Sequence, residues 1–140
     1  MKKIKYFITF TLLLFTICAH PQVPYTSEMT KYIGSWIEPK SVDYQGRLKV
    51  DIFNSNGIIL VRAAVQFPDD LPTNRSSIPV DNVLYEDGKL ITYGQRKGTG
   101  SKPTYKLVIN AIDGSLEVSE FIGNDKSDMK FVSKHHLEVN

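Results

Sequence analysis

Three dipeptides, Asn56-Gly57, Asp87-Gly88 and Asp113-Gly114, limit what this chain can fold into more than any other feature. A two-residue hairpin turn needs positive φ at both central positions, and Asn, Asp and Gly are the residues that tolerate it. Each dipeptide is flanked by residues that alternate apolar and polar, the period of a half-buried strand. Before Asn56-Gly57, Arg47 to Phe53 puts Leu48, Val50 and Ile52 on one face and Lys49 and Asp51 on the other. After it, Ile58 to Phe67 puts Ile59, Val61, Ala63, Val65 and Phe67 together, opposite Arg62 and Gln66. Hairpins, not helices, are the unit of this chain.

The same rhythm continues to the C-terminal end. Val80–Glu86 and Lys89–Lys97 flank Asp87-Gly88, while Thr104–Asn110 and Ser115–Phe121 lead into and out of Asp113-Gly114. Tyr32–Glu38 reads as an opening strand and Met129–Leu137 as a closing one. Ser27 can cap one short helical turn through Glu28, Met29 and Thr30 before Gly34 stops it. Pro68 to Pro79, with three prolines and several short polar residues, is the one long break, and Gly98 to Pro103 is a flexible loop. About eight strands joined by short connections predict an all-β, antiparallel up-and-down meander. Closing such a sheet into a barrel removes its exposed edges, so a barrel is the expected architecture.

The N-terminus belongs to a different class. Lys2, Lys3 and Lys5 precede an apolar or Thr-containing run from Tyr6 to Ala19, which is short of the roughly 20 apolar residues that span a bilayer. The pattern is that of a secretory signal peptide, residues 1–19. Residues 20–31, with Pro21 and Pro24, form a leader, and residues 32–140 the domain. Cleavage after Ala19 gives a periplasmic or secreted protein. Cleavage before Cys18 would give an outer-membrane lipoprotein instead, although bulky Ile17 stands where a lipobox carries a small residue. Lipidation at Cys18 is the one route to a membrane. Three of the 17 Lys and Arg residues lie in the signal, so the remainder has 14 against 15 Asp and Glu, near −1. That balance gives no reason to expect nucleic acid as a partner. With Cys18 removed no disulfide can form, so about 120 residues must be held by one core.

Tyr32-x-Gly34-x-Trp36 opens the strand series, after a short helical turn and before a meander. This arrangement resembles the lipocalin and wider calycin pattern, and the small exported lipocalin-like domains common in Gram-negative bacteria. The resemblance implies that Trp36 sits structurally at the closed end beside Gly34, under a cation near the end of the last strand, here Lys134 or Lys130. The chain departs from the family in being short, in lacking its disulfide and in having Lys where Arg is usual.

No motif for a nucleophile, a metal or a phosphate loop is present; Gly98-Thr99-Gly100-Ser101-Lys102 lacks the spacing and the helix that a phosphate loop needs. His135 and His136 are adjacent on a strand and so face opposite ways, which prevents them from sharing a metal; a solvated strand end is expected. The acidic turns at Asp69-Asp70 and Asn124-Asp125 with Asp128 do not match a calcium loop. Asn74-Arg75-Ser76 is a glycosylation sequon without a eukaryotic-style signal to give it meaning. Catalysis would require an acid pair such as Glu117 and Glu120 facing a cleft, and no enzyme or cofactor is expected. The ligand-binding candidates are Tyr85, Tyr93, Tyr105 and Phe131, aromatics near mid-strand that line a pocket or fill the core. An eight-stranded barrel is just wide enough to be filled or to hold one small ligand. The expected function is therefore non-catalytic binding of a small, partly apolar ligand. The alternative is an envelope protein–protein module, such as a protease inhibitor or assembly factor, acting through the Pro68–Pro79 loop or the leader.

Overall fold

The structure, a computed structural model, describes residues 22–41, 45–68, 75–96, 100 and 102–140. The expected signal peptide, Cys18 and Asn74 lie outside the described residues. Nine strands form one antiparallel sheet: β1 (Gly34–Ile37), β2 (Arg47–Ser55), β3 (Ile58–Gln66), β4 (Arg75–Ile78), β5 (Asn82–Glu86), β6 (Lys89–Gly94), β7 (Tyr105–Ile112), β8 (Ser115–Ile122) and β9 (Lys130–Val139). Their order is β4-β3-β2-β1-β9-β8-β7-β6-β5. Apart from β1 against β9, all neighbours are consecutive in the chain. That one pairing joins the first strand to the last and curls the meander into a half-barrel.

All three dipeptides form tight hairpins. Their residues have positive φ throughout: 52° and 81° at Asn56-Gly57, 50° and 72° at Asp87-Gly88, and 47° and 79° at Asp113-Gly114. Connections in a meander alternate between its ends, so these three turns lie at one end, and the longer connections gather at the other, the mouth. The turn end is plugged by a 3₁₀ helix, Ser27–Tyr32. Thr26, not Ser27, takes its N-cap position, and it makes no side-chain cap bond. Tyr32 is fully buried, and its hydroxyl donates to the Gly88 carbonyl at 2.5 Å.

The inner face is the core. Leu48, Val50, Ile52, Ile59 and Val61 come from one half of the sheet, and Leu90, Leu107, Ile109, Leu116, Val118 and Leu137 from the other. Trp36 joins them at 5 % exposure, its indole N–H donating to the Tyr32 carbonyl at 2.9 Å. A Cβ on Gly34, which has φ 151°, would lie 3.4 Å from the indole nitrogen. The Gly-x-Trp spacing therefore lets the indole fold back over bare backbone toward the plugged end.

Two stretches expected to be irregular are built into the sheet. Arg75–Ile78, inside the expected Pro68–Pro79 break, pairs with β3 from Gln66 to Ala63 as β4. Ser76 and Ser77 are exposed, so four residues carried no readable alternation; the ladder to β3 decides their conformation. Pro79, which has no N–H to donate, then separates β4 from β5. The run from Arg75 to Glu86 thus leaves one edge of the sheet and enters the other. Where it crosses, a Cβ on Gly94 would fall 1.9 Å from the Pro79 carbonyl oxygen, and the Asp81 amide donates to the Tyr93 carbonyl at 2.9 Å. Only glycine admits that approach.

The second stretch is the leader. Its described part is docked: Tyr25 donates its amide to the Gly57 carbonyl at 2.8 Å, and Ile59 donates to Val23 at 3.0 Å. Pro24 bridges Ile58, and Val23 is buried. The leader occupies the gap left between β3 and β5, where β4 has turned away. The mouth-side gap, between β4 and the ends of β6 and β7, stays open.

Candidate functional site

Strand parity carries the polar site. Glu38 follows Trp36 by two residues, so it points inward just past the end of β1. On β9, Ser133 and His135 share the inner face with Leu137; on β8, Glu120 shares it with Val118 and Leu116. These four side chains meet on the mouth side of the core. His135 Nδ1 lies 2.6 Å from Glu38 Oε1, and Nε2 lies 2.8 Å from Ser133 Oγ and 3.1 Å from Glu120 Oε2. Ser133 donates its hydroxyl to Glu120 at 2.8 Å, and the Leu48 amide donates to Glu38 Oε2 at 2.6 Å.

The electrostatics follow from that geometry. Hydrogen bonding to Glu38 raises the His135 pKa; burial opposes the rise, and Glu120 adds to it. Burial would push Glu38 up, but bonds from His135 and the Leu48 amide outweigh it and hold the carboxyl below its ordinary value. Glu120 is likewise held low against its burial by His135, Tyr105 and Ser133. Burial first, then the bond to Glu120, pushes the Tyr105 hydroxyl far above its ordinary value. The cluster is the His135 ring clamped between two carboxylates, an arrangement that favours its protonated form.

Ser133, His135 and Glu38 have the contacts of a nucleophile, a base and its orienting acid. Two features work against that chemistry. Both ring nitrogens of His135 face carboxylate oxygens, which favours the form with no lone pair for the serine proton, and the serine hydroxyl faces the Glu120 carboxylate, whose charge opposes a developing oxyanion. What the arrangement can do is fasten β8, β9 and the end of β1 where β1 and β9 share only two ladder pairs, Trp36 with Val139 and Ile37 with Glu138.

The four aromatic candidates do not converge. Tyr105 is buried on the inner face and lines the mouth-side gap, a cleft of about 440 Å³ walled also by Ser77, Ile78, Pro79, Gln95 and Arg96. Tyr85, half-buried near the plugged end, meets the Tyr32 ring edge-on at 6.4 Å and borders a cleft of about 320 Å³ between the leader and β5. Tyr93 and Phe131 lie on the outer face, Phe131 at 57 % exposure. Lys134 also points outward and pairs with Glu117 at 3.1 Å, whereas Trp36 points inward; Lys130 is exposed at the start of β9. Glu117 and Glu120 stand on opposite faces, so they form no acid pair.

His135 and His136 face opposite ways as expected, but His135 belongs to the inner cluster and is not a solvated strand end. The signal that finds it is the inward register Ser133-x-His135-x-Leu137 combined with Glu38 two residues after Trp36. At the acidic turn, Asp128 accepts the amides of Asn124 and Asp125 at 2.7 and 2.9 Å, and Asp125 accepts that of Ser127 at 2.8 Å. These carboxylates are committed to shaping the turn. Among the described residues, no group of three or more His, Cys, Asp or Glu side chains is placed to hold a metal ion. No protein-family model, curated protein or solved structure matches this chain.

Proposed function

We propose that the protein is an exported, lipocalin-like, non-catalytic binding protein that holds one small, partly apolar molecule in the mouth-side gap beside Tyr105. The observation that carries this reading is the gap itself. At about 440 Å³ it falls in the size range of small-molecule sites. Ile78, Pro79 and the Tyr105 ring supply an apolar wall, and Ser77, Gln95 and Arg96 a polar rim. Burial of Tyr105 among the inner-face side chains holds the ring before any ligand arrives, which lowers the ordering cost of binding. The tightly buried inner face argues for a ligand in the gap of the sheet and against one at its centre. The two carboxylates that flank His135 argue for binding and against hydrolysis. Export rests on the Lys-led apolar segment at the N-terminus.

The test is a titration with N-phenyl-1-naphthylamine, a partly apolar fluorophore, on the protein and on Ile78→Trp, which fills the gap. Saturable one-site enhancement that Ile78→Trp abolishes, with far-UV circular dichroism unchanged, is the expected result. Absence of saturable binding, or equal binding by the variant, would overturn the reading.

A further inference from the structure

The outer face of β6 to β9 holds an arrangement that the small-ligand reading does not use. Register places Tyr93 beside Lys106, Lys106 beside Phe121, and Phe121 beside Phe131, a single row across four strands. Lys106 Nζ stands between two rings, 5.8 Å from the centre of Tyr93 and 5.1 Å from that of Phe121. Lys126 reaches over Tyr93 from the β8–β9 loop, its Nζ 4.4 Å from the ring centre. Phe121 and Phe131 meet edge-on at 5.7 Å. The next outward row toward the plugged end, Ile91, Val108, Ser119 and Lys134, contains no carboxylate. Among the described residues neither Lys106 nor Lys126 has a carboxylate at ion-pair distance; their ammonium groups rest on rings. The row ends in a cleft of about 170 Å³ lined by Tyr93, Asp81, Asn82, Gln95, Pro103 and Lys126.

Each part of this row suits the same class of ligand. Aromatic rings receive the C–H faces of sugar rings, and amide side chains such as Asn82 and Gln95 hydrogen-bond to ring hydroxyls, while the Asp81 carboxylate is engaged by the Gln95 backbone amide at 2.8 Å. Lysines interleaved with the rings add a preference for negative charge. Strands lie about 4.8 Å apart, so Tyr93 and Phe121, two strands apart, are separated by about 10 Å, which suits a chain of sugars better than one. Such an exposed ring-and-cation surface is not a core feature, and a contiguous patch of this kind commonly marks an interaction site. We infer that the outer row Tyr93–Lys106–Phe121–Phe131, with Lys126 and the adjoining cleft, binds an anionic polysaccharide laid across β6 to β9. The rings are its platforms, and the two lysines meet its carboxylates. Lys126 is exposed, so its stem can swing from the Tyr93 face to a carboxylate as the sugar arrives.

Calorimetry on the whole protein with tetragalacturonate, cellotetraose and tetraglutamate separates the contributions of charge and ring stacking. The expected result is that tetragalacturonate binds at least about tenfold more tightly than either comparator and weakens as salt is raised. Phe131→Ser and Lys126→Gln, both at exposed positions, should each weaken it about threefold or more while leaving the melting temperature unchanged. Ile78→Trp should leave it unaffected, which keeps this site distinct from the small-ligand gap. Absence of tetragalacturonate binding would overturn the inference. So would equal affinity for tetraglutamate, or variants that bind like the parent. Flotation with phosphatidylglycerol vesicles in the absence of tetragalacturonate binding would identify a lipid surface instead and would also overturn it.

Discussion

With φ at 151° and the Trp36 indole nitrogen 3.4 Å from where a Cβ would stand, Gly34 is fitted to its partner on two counts. Gly34→Ala should cost about 1–3 kcal/mol for the strained backbone alone. Trp36→Ala should cost about 3–5 kcal/mol because it empties a nearly buried site. Urea unfolding checks both, and a double variant that loses less than the sum would show that the two act as one unit. Thr92 gives the opposite case. It is fully buried on the inner face of β6, and its hydroxyl has no hydrogen-bond partner among the described residues. Thr92→Val keeps the shape and removes the unsatisfied group, so stability should rise by about 1 kcal/mol; a loss would show that the hydroxyl is satisfied in solution. His135 governs the response to pH. Its folded pKa lies above the ordinary 6.5, so its contribution is complete below about 6.5 and is lost as pH rises through the raised value. Glu38 and Glu120 are shifted below the ordinary 4.5, so theirs is complete above about 4.5 and is lost as pH falls through the lowered values. The melting temperature should therefore peak between these limits, and His135→Gln should flatten the alkaline side. A parent protein whose melting temperature is level across that side would contradict the clamp. The sequence marks Trp36 and Gly34 plainly. It marks Glu38 and His135 only through parity, because 97 residues separate them and no local pattern pairs them.

At the scale of elements, the hairpins were readable because each carries both halves of its signal, the turn dipeptide and the flanking alternation. β4 and the leader carry neither. Their conformations come from β3, which offers one part of its outer edge to Arg75–Ile78 and another to the leader. Val23 has no alternating neighbours, yet its burial and its carbonyl bond to the Ile59 amide make it part of the wall. Removing residues up to Pro24 should cost about 1.5–3 kcal/mol, the value of burying one valine side chain. It should also release the Ile59 amide to hydrogen exchange while the Leu107 and Ile109 amides stay protected. Exchange at Ile59 as slow as in the parent would mean that the leader does not hold that edge.

For the molecule as a whole, the antiparallel meander follows from strand spacing, but the place where it stays open does not. Pro79 is visible in the sequence as a break. That the chain changes edges there depends on Gly94 admitting its carbonyl, a contact between residues no periodicity relates. The mouth-side gap is a product of that crossing, which is why the aromatic candidates could be named but not grouped. The union of β1 with β9 sets an order on assembly. Ser35 accepts a hydrogen bond from the Asn140 amide at 2.9 Å, across 105 positions of chain. Until β9 exists, β1 has only β2 beside it and the inner cluster lacks its histidine. Pairings this distant form late and slow the folding of the whole. Leu137→Ala should then cost about 2–5 kcal/mol and express nearly all of it as faster unfolding, with the refolding rate almost unchanged in stopped-flow traces. A chain refolding from denaturant would carry Trp36 in a half-made wall until β9 joined β1, so the tryptophan's fluorescence records the moment of completion.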